Sequence, residues 1–196
     1  MYSRLRQMLD QIPTPSGPAD LPKAWFMTDP RCEDPISTAR NLPLDCGIII
    51  RHYDHPDRSY LISEIMKDAR EAKRRVLIAG SFSNAKDVGA AGVHWPRWAN
   101  VGPVPPSLLS LHAVHNDAEL KKAIAHKADA IIISPIFPTQ SHQDQNTLGV
   151  KGLDALLNQT HLPAYVMGGI TLERLRSISH LNIAGFAGIS CFEYQA

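Results

Sequence analysis

Ile131–Gly149 reads IIISPIFPTQSHQDQNTLG. Three β-branched residues end abruptly at Ser134-Pro135, and a loop rich in hydroxyl and amide groups follows. A run of that kind with no polar alternation fits a strand covered on both faces, as in a parallel sheet. Further on, Tyr165-Val166-Met167 runs into Gly168-Gly169-Ile170. Two buried-type strands that each open into a polar or glycine-rich loop point to a ligand site at the carboxyl ends of parallel strands.

Working outward, apolar runs of the same kind recur along the chain: Ala24–Thr28, Gly47–Arg51, Arg75–Ala79, Ala91–His94, Leu108–His112, Ala130–Ser134, Ala164–Met167 and Gly185–Ser190. Helical spacing fills several gaps. Tyr60–Lys73 places Leu61, Ile65, Met66 and Ala69 on one face, with basic residues late in the segment where the helix dipole favours them. Asp117–His126 opens on an Asn116-Asp117 capping signal. Lys151–Asn158 and Thr171–Ser179 each carry an apolar stripe. Helices at Asn84–Gly89 and near Trp95–Pro106 are expected to be short or missing. Eight strands alternating with helices favour a small, single-domain (β/α)8 TIM barrel. The rival is a flavodoxin-like open sheet, which would require two or three of these runs to be helix or loop.

The chain has 196 residues, of which 44% are hydrophobic and 20% charged, enough for one full core. Residues 1–22 read as an N-terminal extension: a short helix over 1–10 with Leu5, Met8 and Leu9 on one side, then a proline-rich arm. Residues 23–196 form the barrel domain. A net charge of +1 leaves no electrostatic footprint for nucleic acid. No apolar run approaches the roughly 18 residues of a membrane helix, so no membrane partner is expected. The N-terminus lacks the apolar stretch of a signal peptide, and a cytoplasmic location is the expectation. The three cysteines, Cys32, Cys46 and Cys191, lack metal-type spacing, and their odd number argues against a disulfide framework. Homo-oligomerisation is left open.

Several blocks, in order, resemble the thiamine phosphate synthase family, which includes the related thiazole tautomerases. They are Trp25-Phe26-Met27-Thr28-Asp29, Ile48–Arg51, Gly89-Ala90-Ala91-Gly92-Val93-His94, and Ala113-Val114-His115 before an acidic helix start. Ala128-Asp129-Ala130 through Ser134-Pro135-Ile136-Phe137-Pro138-Thr139, Gly168-Gly169-Ile170 and Ala187–Ser190 complete the set. The resemblance implies a TIM barrel that couples an aminopyrimidine diphosphate to thiazole phosphate and releases pyrophosphate. Magnesium would hold the pyrophosphate, and stabilising the leaving group would carry most of the chemistry. The phosphorylated small-molecule ligand would be held by Thr139, Ser141, Gly168, Gly169 and the backbone at Ile189 and Ser190. Arg51 would face the pyrophosphate. His115 or His142 would be available for proton transfer.

The family pattern is incomplete. A Lys position is taken by Tyr53. The Asn-Asp that closes the third strand reads Ala79-Gly80, and a second magnesium Asp reads Ala99. Ser becomes Ala113, Lys becomes His142, and Ser134-Pro135 stands where tautomerases place a His. No merely polar group replaces a hard-cation carboxylate, so magnesium's usual ligands are absent, and no metal-binding residue is assigned. Asp54, Asp57 or Asp144 could bring a carboxylate from another loop. Trp95, Arg97 and Trp98 occupy the expected metal loop. His94, His112, His115 and His142 could all face one barrel mouth, a set from which zinc could draw three imidazoles. His52 and His55 read as surface loop residues. Two alternatives to synthase activity follow: a catalytically silent or regulatory barrel that keeps the phosphate cup, and a thiazole tautomerase-like isomerase. A different phosphate-sugar reaction on a related small barrel is a further option.

Overall fold

The computed structural model describes residues 3–13, 21–53, 55–139 and 146–192. Eight parallel strands close in sequence order into a barrel. They are β1 (Ala24–Met27), β2 (Cys46–Ile50), β3 (Val76–Ala79), β4 (Gly92–Trp95), β5 (Leu109–Val114), β6 (Ala130–Ile133), β7 (Ala164–Val166) and β8 (Gly185–Gly188). Closure comes from β8 against β1, with Ala24 opposite Phe186. Each apolar run read from the sequence overlaps one strand, and the flavodoxin-like alternative is excluded.

The runs read as continuously apolar because both strand faces are covered. Trp25, Met27, Ile49, Leu77, Leu111, Ile132 and Tyr165 point into the barrel and form an inner cluster. Their neighbours Phe26, Ile48, Ile50, Ile78, Val114, Ile131 and Ile133 pack outward against the helices. The interior is filled unevenly. Trp25 meets Tyr165 edge-on with ring centroids 6.0 Å apart, and a Cβ on Gly47 would lie 2.4 Å from the Trp25 ring. A residue without a side chain in β2 is therefore what makes room for the indole. The Tyr165 hydroxyl donates to the Pro22 carbonyl at 2.7 Å and ties the barrel floor to the incoming chain.

The outer layer consists of α2 (Pro35–Asn41), α3 (Arg58–Glu71), α4 (Phe82–Asp87), α5 (Asp117–Ala125), α6 (Gly149–Leu157) and α7 (Leu172–Ser177), preceded by α1 (Ser3–Asp10). No described helix joins β4 to β5, as the proline-rich segment suggests. The sequence reading passed over α2, although Asp34-Pro35 is a recognisable start: the Asp34 side chain accepts from Ser37 N, with Pro at the first helical position. In α1, Leu5, Met8 and Leu9 are buried in the outer core, and Arg4 reaches Glu173 of α7 at 3.4 Å. No helix among the described residues is long and apolar enough to cross a membrane.

Candidate active site

Parallel strands direct their carboxyl ends, and the loops that follow, to one rim. Asp29, Arg51, Tyr53, His94, His115, Ser134 and Gly168 all lie at that rim, at or just beyond the ends of β1, β2, β4, β5, β6 and β7.

On the β1–β2 side, Asp29 is buried, at 5% exposure. Its carboxylate accepts from Arg31 Nε at 2.6 Å and from Arg31 N at 3.0 Å, and it pairs with the Arg51 guanidinium. Arg51 N donates to Thr28 Oγ1 at 3.1 Å, and Thr28 Oγ1 lies 2.9 Å from His52 Nδ1. Burial lowers the Arg51 pKa from its ordinary value, with the Tyr53 hydroxyl acting in the opposite direction. His52 is not a surface loop residue: it is 4% exposed, held by the Thr28 hydroxyl, and pushed down to about 4 chiefly by burial. Its neighbour His55 is exposed.

At the ends of β2, β3 and β4, aromatic side chains take up the space. The Tyr53 and Trp98 rings meet edge-on at 5.2 Å. Gly80, with φ +85°, lies beneath both, its would-be Cβ 3.3 Å from Tyr53 and 3.5 Å from Trp98. Arg58, at the start of α3, donates to the Ala79 carbonyl at 3.2 Å, and its Nε is buried with no partner among the described residues. His94 is the most isolated polar group of the rim. Neither of its ring nitrogens has a partner among the described residues, and burial first, then Arg51 and two other histidines, lower its pKa to about 3. It is therefore neutral at physiological pH, with one donor and one acceptor unsatisfied.

His112 does not join the mouth. Alternation along β5 turns it outward, where it bonds Ser110 Oγ at 3.0 Å and its ring lies 5.9 Å from that of His126. The four histidines that the sequence would allow at one mouth therefore do not all converge there. Among the described residues no three His, Cys, Asp or Glu side chains gather as a metal site.

His115, one step past β5, does reach the mouth. Its Nδ1 lies 2.7 Å from Glu119 Oε2 and its Nε2 lies 3.4 Å from Ser134 Oγ. Glu119 also accepts from His115 N at 2.8 Å and pairs with Arg97 at 3.5 Å. Burial alone would raise the Glu119 pKa, but the His115 bonds and charge, with Arg97, hold it below its ordinary value.

The β6–β8 side carries the loops expected to bind phosphate. Ser134-Pro135 is a cis peptide. Thr139 Oγ1 is buried and without a partner among the described residues. Gly168 and Gly169 adopt φ +101° and +61°, a conformation that favours glycine. A Cβ on Gly168 would meet Pro135 Cα at 2.8 Å, and one on Gly169 would meet the Pro138 carbonyl at 2.5 Å. Arg174 of α7, which the sequence reading missed, locks these loops together. It donates to Gly169 O at 2.7 Å and Pro138 O at 3.2 Å, and stacks over Phe137 at 5.2 Å. Its place in the first helical turn after Gly168-Gly169 was the available signal. Ile189 is half-buried and Ser190 exposed at the start of a short 3-10 turn, Ser190–Phe192. Ser141, His142, Asp54 and Asp144 lie outside the described residues.

The model of the family described as thiamine monophosphate synthase matches residues 46–192. The chain is 33% identical over 184 residues to "Putative thiamine-phosphate synthase 2" of Aquifex aeolicus (strain VF5), covering 88% of this chain and 98% of that protein. It is 30% identical over 183 residues to the thiamine-phosphate synthase of Pyrococcus horikoshii, covering 86% of this chain and 85% of that one. Among solved structures, thiamine phosphate pyrophosphorylase from Pyrococcus furiosus superposes with a TM-score of 0.74 at 22% identity, over 86% of this chain and 85% of that one. That superposition concerns the fold, whereas the family match and the two relatives concern descent. Sequence blocks, closed barrel and relatives agree that this chain belongs to the thiamine monophosphate synthase family.

Proposed function

We propose that the protein works in thiamine biosynthesis as a transferase that joins an aminopyrimidine diphosphate to thiazole phosphate at this mouth. The observation that carries the reading is the β6–β7 cup. A buried, unpartnered Thr139 hydroxyl sits beside two glycines whose N–H groups donate to no backbone carbonyl among the described residues. Unmet donors around a tight glycine turn suit an oxyanion such as the thiazole phosphate. Ser141, Ile189 and Ser190 are assigned to the same cup through the family pattern. In the reaction, the thiazole nitrogen forms a bond to the pyrimidine methylene carbon as the C–O bond to diphosphate breaks. Charge on the departing diphosphate would be met by Arg51, with Arg58 and Arg97 nearby. His115 or His142 is the group available for proton transfer.

The residues present do not fit the magnesium that the family implies. Gly80 and Ala99 stand at the carboxylate positions. Asp29, the buried carboxylate of the rim, is committed to Arg31 and Arg51. No step is therefore assigned to a metal ion. The packing of Tyr53 and Trp98 over Gly80 favours a second reading, a barrel that binds the phosphorylated ligand without turnover.

An end-point assay with both substrates, with and without magnesium and EDTA, separates these readings when run beside melting curves with thiazole phosphate alone. Thiamine phosphate formation supports the transferase. A raised melting temperature without product selects the binding protein. Neither product nor a melting shift would end both.

A further inference from the structure

We propose that Ser134, His115 and Glu119 form a nucleophile–base–carboxylate chain that gives the barrel mouth an acyl-transfer activity toward small carboxylic esters. This goes beyond the phosphate-binding reading and does not rest on it.

The chain is built by local sequence. Asn116 caps α5, its side chain accepting from Glu119 N at 3.0 Å. Glu119 reaches back to accept from His115 N at 2.8 Å. This is a capping box displaced by one residue, and it holds the carboxylate in one place. The same oxygen, Glu119 Oε2, lies 2.7 Å from His115 Nδ1. A carboxylate there fixes the proton on Nδ1, so that Nε2 presents its lone pair. That lone pair faces Ser134 Oγ at 3.4 Å. A hydroxyl, a base in the accepting tautomer and a carboxylate that orients the base are the parts of an activated serine, whose contacts are often longer before substrate binds. Capping accounts for the backbone contacts of Glu119. It does not require an imidazole at 115 or a hydroxyl at 134.

The surroundings supply the remaining requirement. The cis peptide leads from Ser134 into Pro135, and the Gly168 backbone lies against Pro135, its would-be Cβ 2.8 Å from Pro135 Cα. The N–H group of Gly168 donates to no backbone carbonyl among the described residues and is the candidate donor to an oxyanion beside Ser134. Ser134 Oγ attacks the acyl carbon, and an Oγ–C bond forms as the C–O bond to the alcohol breaks. The Oγ proton passes to His115 Nε2 and on to the departing alkoxide. Water then attacks the acyl carbon as its proton passes to His115 Nε2, the Oγ–C bond breaks, and His115 returns the proton to Ser134 Oγ as the acid is released.

The test is covalent labelling of the full-length protein with a fluorophosphonate, with the adduct located by tandem mass spectrometry, beside p-nitrophenyl acetate hydrolysis. An adduct on Ser134 is expected, absent in Ser134→Ala. Its rate should fall about a hundredfold or more in His115→Asn. Glu119→Gln preserves the capping box, since Gln also serves there, so its slower labelling reports the lost charge rather than a lost helix. A folded protein without an adduct at Ser134 overturns the proposal, as does unchanged labelling in His115→Asn. Melting curves with thiazole phosphate report the cup separately, so failure of one reading leaves the other legible.

Discussion

At the scale of the residue, Gly169 and Thr139 occupy the same cup for different reasons. Gly169 is constrained by backbone: φ is +61° and a Cβ would come 2.5 Å from the Pro138 carbonyl and 2.6 Å from Arg174 Nη1. Gly169→Ala is expected to cost about 1–3 kcal/mol, because a positive φ and a backbone clash add. Urea unfolding against the wild type checks this, and an unchanged midpoint would show that the turn relaxes freely. For the same reason, Gly169→Asp is a poor probe of ligand binding alone. Thr139 is the cleaner probe, since its hydroxyl is buried and unpartnered among the described residues. Thr139→Val keeps the shape and removes the one group held ready. Stability should change by no more than about 0.5 kcal/mol while thiazole phosphate binds about tenfold more weakly. Calorimetric titration of both proteins decides it: equal affinities would remove Thr139 from the site. Both positions were legible as a glycine turn and a hydroxyl loop. Arg174 was not, because its role depends on where two carbonyls from different loops meet.

At the scale of the element, α5 matters more than its nine residues suggest. Its cap, Asn116, anchors the helix start that holds Glu119 under His115. Asn116→Ala should cost about 1 kcal/mol in stability and should also loosen the ring–carboxylate contact. The second effect is visible as a shift in the His115 ring resonances by NMR. A stability loss with unchanged resonances would show that the carboxylate is held by His115 alone. The helix and its cap were readable from Asn116-Asp117 and the stripe that follows. The destination of Glu119 was not. The α2 helix went unread because only seven residues mark it, although Asp34-Pro35 is a sound start signal. The β4–β5 connection, expected to hold a short helix or none, holds none, because its prolines remove backbone donors.

At the scale of the whole molecule, closing the barrel and packing helices around it buries neutral imidazoles. Burial holds His52 and His112 at about 4 and His94 at about 3, against an ordinary 6.5. The folded state therefore binds fewer protons than the unfolded chain throughout that interval. Stability is complete above about 6.5 and is lost as pH falls toward 4. The depressed carboxylate of Glu119 acts in the same direction at lower pH. Melting temperatures should be level from pH 8 to 7 and fall steadily below 6. A level profile down to pH 4.5 would show that water reaches these rings. The linear chain determined the strands, most helices and the family, because the period of apolar residues and the order of short blocks are properties of neighbours in sequence. Only the tertiary structure decided which histidines share the mouth. One residue of alternation sends His112 outward while His115, past the strand end, turns in. It also decided that Asp29 is spent on two arginines, that Tyr53 and Trp98 close over Gly80, and that Ser134 faces His115. Those contacts join the ends of different strands, and a chain shows which of its residues are neighbours across a barrel only once the barrel has closed.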